Sequence, residues 1–124
     1  MNERKILYVE DNEYNRKIVR QLLSRSPCRL LEAGDGESGV ALARSELPDL
    51  ILMDVQLPKL SGLEATRLLT TEAATRHIPV IVITSYALSG DREKAMQAGA
   101  ASYLAKPYSP SELLAMVRQF LPGL

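Results

Sequence analysis

Short apolar runs recur along the chain at Lys5-Ile6-Leu7-Tyr8-Val9, Cys28-Arg29-Leu30-Leu31, Leu50-Ile51-Leu52-Met53, Val80-Ile81-Val82-Ile83 and Ala101-Ser102-Tyr103-Leu104. They start roughly every 20 to 30 residues, the spacing of strands that alternate with helices. The third and fourth are continuously apolar, which suits strands buried on both faces of a parallel sheet. Helical stripes fill the gaps: Tyr14, Ile18, Val19, Leu22 and Leu23; then Ala65, Leu68 and Leu69; then Leu113, Val117, Phe120 and Leu121. Ser61-Gly62-Leu63-Glu64 and Ser109-Pro110-Ser111-Glu112 read as capping boxes, the second with proline at the first helical position. Gly99 fits a left-handed helix end, and Pro48 and Pro79 stand where helices should have stopped. The pattern predicts an α/β fold of five βα units, a doubly wound parallel sheet with helices on both faces. Ligands of such sheets sit beyond the carboxyl ends of the strands, near the point where the strand order reverses.

Composition narrows the function. A chain of 124 residues is expected to form a single domain over 1–124. Fifteen basic and fifteen acidic side chains cancel, so no positive field favours direct contact with nucleic acid. No apolar run approaches the roughly 20 residues of a membrane span, and Met1-Asn2-Glu3-Arg4-Lys5 shows no signal-peptide pattern. Cys28 is the only cysteine and His77 the only histidine, which excludes a disulfide, a thiolate metal cluster and a multi-histidine centre. A cytoplasmic location is expected. Cys28 reads as a partly buried apolar group and His77 as a surface residue before a strand.

The strand ends carry the chemistry. The first run ends in Glu10-Asp11, the third in Asp54 and the fourth in Thr84-Ser85, and Lys106-Pro107 follows the fifth. Taken singly, an acid after a strand is a solvated loop or a helix cap, and Asp11 or Asn12 would serve as one. Four chemically matched strand ends out of five are harder to assign to an ordinary surface. Carboxylates brought together repel, and one lysine cannot neutralise three. A hard divalent cation such as Mg²⁺ can, and it accepts phosphate oxygens as further ligands. Lys106 would pair with a phosphoryl oxygen, the Thr84 hydroxyl would donate to another, and Asp54 could act as the nucleophile.

Gly34-Asp35-Gly36-Glu37-Ser38-Gly39 matches the dinucleotide pattern G-x-G-x-x-G. It follows the second strand rather than the first, sets two acids where a pyrophosphate would lie, and leaves Glu10, Asp11 and Lys106 without a role. A tight turn with Asp35 capping the second helix is the expected reading.

These residues resemble the receiver domain of bacterial two-component response regulators, the CheY-like fold. The matching pieces are Ile6 to Asn12, Pro48 to Pro58, Ser61-Gly62, Pro79 to Ser85, Ala98-Gly99-Ala100 and Lys106-Pro107, so the likeness spans the chain. The resemblance implies the flavodoxin-like strand order 2-1-3-4-5. It implies that Asp54 is the phosphoacceptor and that Glu10 and Asp11 organise Mg²⁺, with Asp54 and the backbone carbonyl of Gln56 completing the protein ligands. It implies that Lys106 pairs with the phosphoryl group, that Thr84 and Tyr103 are the switch pair, and that the Lys106–Pro107 bond is cis. Two departures stand out: Glu10 where aspartate is more common, and Ser85 where alanine is frequent. The resemblance implies that Gln56 and Tyr86 occupy positions that tune dephosphorylation and that Tyr86 belongs with the switch residues, and Tyr86 is also a candidate surface contact.

The implied function is a phosphorelay switch rather than a turnover enzyme. A histidine kinase or histidine phosphotransferase would donate to Asp54, and the last two helices with the strand between them would change shape toward a downstream protein partner. No effector domain is expected within residues 1–124, which read either as a free-standing regulator or as a piece of a larger protein. Two other readings stay open: a phosphorylation-independent interaction module, and a Mg²⁺-dependent phosphohydrolase, which would need a substrate pocket that short loops leave little chain to build.

Overall fold

The structure, a computed structural model, describes residues 3–84 and 91–124, with the side chain of Asp91 outside that description. Five strands alternate with five helices: β1 (Arg4–Val9), α1 (Glu13–Leu23), β2 (Cys28–Ala33), α2 (Gly36–Glu46), β3 (Leu50–Asp54), α3 (Gly62–Thr71), β4 (Val80–Thr84), α4 (Asp91–Gln97), β5 (Ser102–Ala105) and α5 (Pro110–Phe120). The strands form one parallel sheet in the order β2-β1-β3-β4-β5. This is the expected doubly wound α/β architecture with the flavodoxin-like order. The order reverses between β1 and β3, so a crevice opens at their carboxyl ends.

The two faces explain the apolar runs. Leu7, Val9, Ile51, Met53, Val80 and Val82 point to one core with Val40 and Ala43 of α2, Ala65 and Leu69 of α3 and Ala95 of α4. Ile6, Tyr8, Leu50, Leu52, Ile81 and Ile83 point to the other with Val19 and Leu23 of α1 and Leu113 and Val117 of α5. Every residue of β3 and β4 is buried, as their unbroken apolar sequence requires. The α1 stripe is narrower than its sequence suggests. Val19 and Leu23 are buried, but Tyr14 is 71% and Ile18 40% exposed, and Leu68 on α3 is also exposed.

Helix ends follow local chemistry. Asn12, rather than Asp11, caps α1, its side chain accepting from the Asn15 N–H at 3.0 Å. Asp35 caps α2 through the Ser38 N–H at 2.7 Å. The capping box at Ser109 is complete, with Ser109 Oγ accepting from Glu112 N–H and the Glu112 carboxylate accepting from Ser109 N–H. At Ser61 the hydroxyl half of the box is in place. Gly99, at φ +99°, ends α4, with Ala100 N–H returning to the Ala95 carbonyl. His77 is exposed and Cys28 partly buried, as expected.

The glycine-rich stretch serves packing. A Cβ on Gly36 would lie 2.0 Å from the Leu60 carbonyl oxygen, and one on Gly39 would lie 2.8 Å from Val9. These glycines let α2 close onto β1 and onto the loop that follows β3. We therefore expect Gly36→Ala to destabilise the fold by about 1–3 kcal/mol in urea unfolding, the usual range for overpacking. An unchanged midpoint would mean that the close approach to Leu60 does not exist.

Candidate functional site

The parallel order delivers the chemistry to one edge. β1 leads into Glu10, β3 ends in Asp54, β4 ends in Thr84, and β5 leads into Lys106. One backbone contact fixes the last of these. The Lys106 backbone N–H donates to the Thr84 carbonyl at 2.7 Å, and the Lys106–Pro107 bond is cis. A Cβ on Gly62 would lie 1.8 Å from the Asp54 carbonyl oxygen, so only glycine lets α3 start this close beneath the aspartate.

Three of the sequence candidates meet directly. Lys106 Nζ donates to Asp54 Oδ2 at 2.7 Å and to Glu10 Oε2 at 3.4 Å. Asp54 Oδ1 accepts from the Gln56 N–H at 3.0 Å. Glu10 and Asp54 are only 2% and 5% exposed. Thr84 is buried at the end of β4, beside this group in the sheet. Tyr103 is half-buried on β5 and packs against the core that includes Ala95 of α4. Gln56 is exposed in the loop after β3, and Asp11 is exposed after Glu10. Among the described residues no three His, Cys, Asp or Glu side chains form a group that could by themselves hold a metal ion. Tyr86 and Ser85 lie outside the described residues.

Two neighbours of Glu10 carry no signal in the sequence pattern. Asn15 Nδ2 donates to Glu10 Oε1 at 2.7 Å, and Arg16 Nη1 donates to the Glu10 carbonyl at 2.7 Å. Asn15 and Lys106 also line a cleft of about 460 Å³ with Ile18, Pro107 and Tyr108.

The electrostatics follow from burial. Burial pushes the Glu10 carboxyl up to about 7, and its hydrogen bond with Asp54 pushes the same way, against the Asn15 amide and Lys106. Burial alone would lower Lys106, but its bond to Asp54 and its pairing with Glu10 outweigh that and hold it above the ordinary lysine value. Two buried carboxylates therefore face one ammonium. The donor set is all oxygen and carries excess negative charge, which fits a hard divalent cation and disfavours a soft one.

Similarity to known proteins gives the family. The family profile described as "Response regulator receiver domain" matches residues 6–118. The chain is 41% identical over 116 residues to the polar-differentiation response regulator DivK of Brucella anthropi, covering 94% of each protein. It is similar to the crystal structure of the receiver domain of sensor histidine kinase PA1611 from Pseudomonas aeruginosa, which has a magnesium ion coordinated in its active site cleft. The TM-score is 0.88, with 38% identity over 97% of this chain and 98% of that one. It is also similar to a CheY-like receiver domain protein from Methanospirillum hungatei, with TM-score 0.89, 26% identity and coverage of 97% and 94%. The chain belongs to the response regulator receiver domain family, the signalling modules of two-component systems. Among the described residues no helix is long and apolar enough to cross a membrane.

The Glu10 environment makes stability pH-dependent in metal-free protein. Its carboxyl sits near 7 when folded against 4.5 as the ordinary value, so the folded state binds more protons between those limits. The contribution of Glu10 is fully present below about 4.5 and is lost as the pH rises through about 7. Urea unfolding in a chelator should show wild type losing stability between pH 5 and pH 8, with a flatter profile for Glu10→Gln. Identical profiles would exclude Glu10 as the titrating group.

Proposed function

We propose that this protein is a phosphoacceptor switch in which Asp54 takes a phosphoryl group from a phosphohistidine on a partner histidine kinase or histidine phosphotransferase. The observation that carries this reading is the Lys106 ammonium held between Asp54 and Glu10 in the crevice at the carboxyl ends of the strands. An Asp54 carboxylate oxygen attacks phosphorus, the P–N bond breaks, and its electron pair leaves with the imidazole, which is protonated as it departs. Lys106 meets the charge that builds on the phosphoryl oxygens. Glu10, Asp11, Asp54 and the Gln56 carbonyl would hold Mg²⁺. When bound, the ion neutralises phosphoryl oxygens and the surplus charge of the carboxylates.

The product carries nearly two negative charges where the carboxylate carried one. Thr84 is the hydroxyl that answers it, and Tyr103 follows into the space that Thr84 leaves, which reshapes the α4, β5 and α5 surface toward a downstream protein partner. Moving a two-state equilibrium from 1:99 to 99:1 takes about 5.5 kcal/mol. Two or three charge-assisted hydrogen bonds of about 1.5–3 kcal/mol each supply that. The setting is the cytoplasm, and with a net charge of zero the chain has no direct nucleic-acid role in this reading. Membership in a signalling family favours this switch over a phosphohydrolase.

Intact mass after incubation with acetyl phosphate tests the chemistry. Wild type should gain one phosphoryl group only when Mg²⁺ is present, and Asp54→Asn should gain none; an equal adduct on the variant would refute the assignment. A second expectation concerns coupling. Thr84→Ala should still be phosphorylated but should bind its partner with little dependence on phosphate. Undiminished phosphate-dependent binding by Thr84→Ala would remove the hydroxyl from the mechanism.

A further inference from the structure

The Glu10 side chain needs something to aim it. It has three rotatable bonds and ends in a carboxylate that is almost wholly buried. Its contact with Lys106 is long, at 3.4 Å, while Asp54 holds the same ammonium at 2.7 Å. That contact alone is a weak constraint on a flexible side chain. A shorter bond to the carboxylate comes from elsewhere, from Asn15 Nδ2 at 2.7 Å to Oε1. Asn15 stands in the first turn of α1, and its own N–H is tied to the Asn12 side chain that starts the helix. The next residue, Arg16, donates to the backbone carbonyl of Glu10 at 2.7 Å and pairs with Glu13 and Glu32. Successive residues of one helix thus grip both ends of Glu10. The donor to the carboxylate is a neutral amide. A cation in its place would cancel the charge that the site needs to keep.

We propose that Asn15 is a positioning residue of the phosphoacceptor site, its side-chain amide fixing the Glu10 carboxylate in the orientation that shares Lys106 with Asp54 and presents an oxygen to a divalent cation. The cation half of this inference rests on the Mg²⁺ reading above; the hydrogen bond does not. Shortening Glu10 to aspartate retracts the carboxylate from Asn15, so the effect of losing Asn15 should depend on which acid is present.

The test has two arms. In the first, NMR of metal-free protein should find an Asn15 side-chain amide proton downfield of an exposed amide, moving upfield in Glu10→Ala. An Asn15 amide already at the exposed position in wild type would overturn the proposal whether or not the protein binds metal. In the second, calorimetry with Mg²⁺ alone compares wild type, Asn15→Ala, Glu10→Asp and the double variant. Asn15→Ala should weaken binding about ten-fold or more in the Glu10 protein, the scale of losing a group that orients a ligand, and far less in the Glu10→Asp background. Equal losses in both backgrounds would reduce Asn15 to a general structural role and refute the proposal. A wild type that binds no Mg²⁺ would count against the cation reading, and the amide signal would then decide Asn15 by itself.

Discussion

Two buried carboxylates share one ammonium, and the arrangement of the site turns on that imbalance. Glu10 and Asp54 have almost no contact with solvent, and Lys106 lies between them. Taking one ion out of water costs several kcal/mol unless partners replace the solvent. Here the replacement is incomplete by design of the chain order: β1 and β3 each deliver an acid, and β5 delivers the single base. Burial, and then the neighbouring Asp54, push the Glu10 carboxyl up to about 7. A site in this condition gains by accepting positive charge, and the same ammonium that restrains the carboxylates is placed to receive a charged phosphoryl group.

The surrounding fold keeps these groups close. Gly62 lets α3 begin against the Asp54 carbonyl, and Gly36 lets α2 reach the loop after β3. The Gln56 N–H holds Asp54 Oδ1, which leaves Oδ2 to Lys106. Lys106 is in turn tied through its backbone to the end of β4, where Thr84 sits. A change of charge at Asp54 therefore bears on Lys106 and, through the strand that carries it, on Tyr103 and the core beneath α4. This chain of contacts gives the proposed switch a physical route from the carboxylate to a surface.

Much of this is legible in the amino-acid sequence because the signals are local. The unbroken apolar runs of β3 and β4 declare burial on both faces, and Ser109, Asp35 and Gly99 declare helix ends through their own backbone chemistry. Strand-end position then finds Glu10, Asp54, Thr84 and Lys106. What is not legible depends on side-chain direction. Glu10 turns inward and the adjacent Asp11 turns out, a difference that strand ends alone do not reveal. Tyr14 and Ile18 share a helical stripe with Val19 and Leu23, yet spacing does not say which edge of the stripe the sheet covers. Asn15 looks like any polar residue on an exposed first turn until the Asn12 cap sets where α1 begins. The glycine-rich stretch misleads for a related reason, since the same small residues serve phosphate approach and helix packing.

In this reading a divalent cation relieves the site's excess negative charge. Thermal unfolding of wild type and Asp54→Asn across a Mg²⁺ titration is the direct test, because a ligand that binds only the folded state stabilises it by RT ln(1 + [L]/Kd). The wild-type midpoint should climb with the logarithm of Mg²⁺ concentration once past Kd, and should climb much less when Asp54 is neutral. A wild type indifferent to Mg²⁺, or a variant that responds equally, would contradict it.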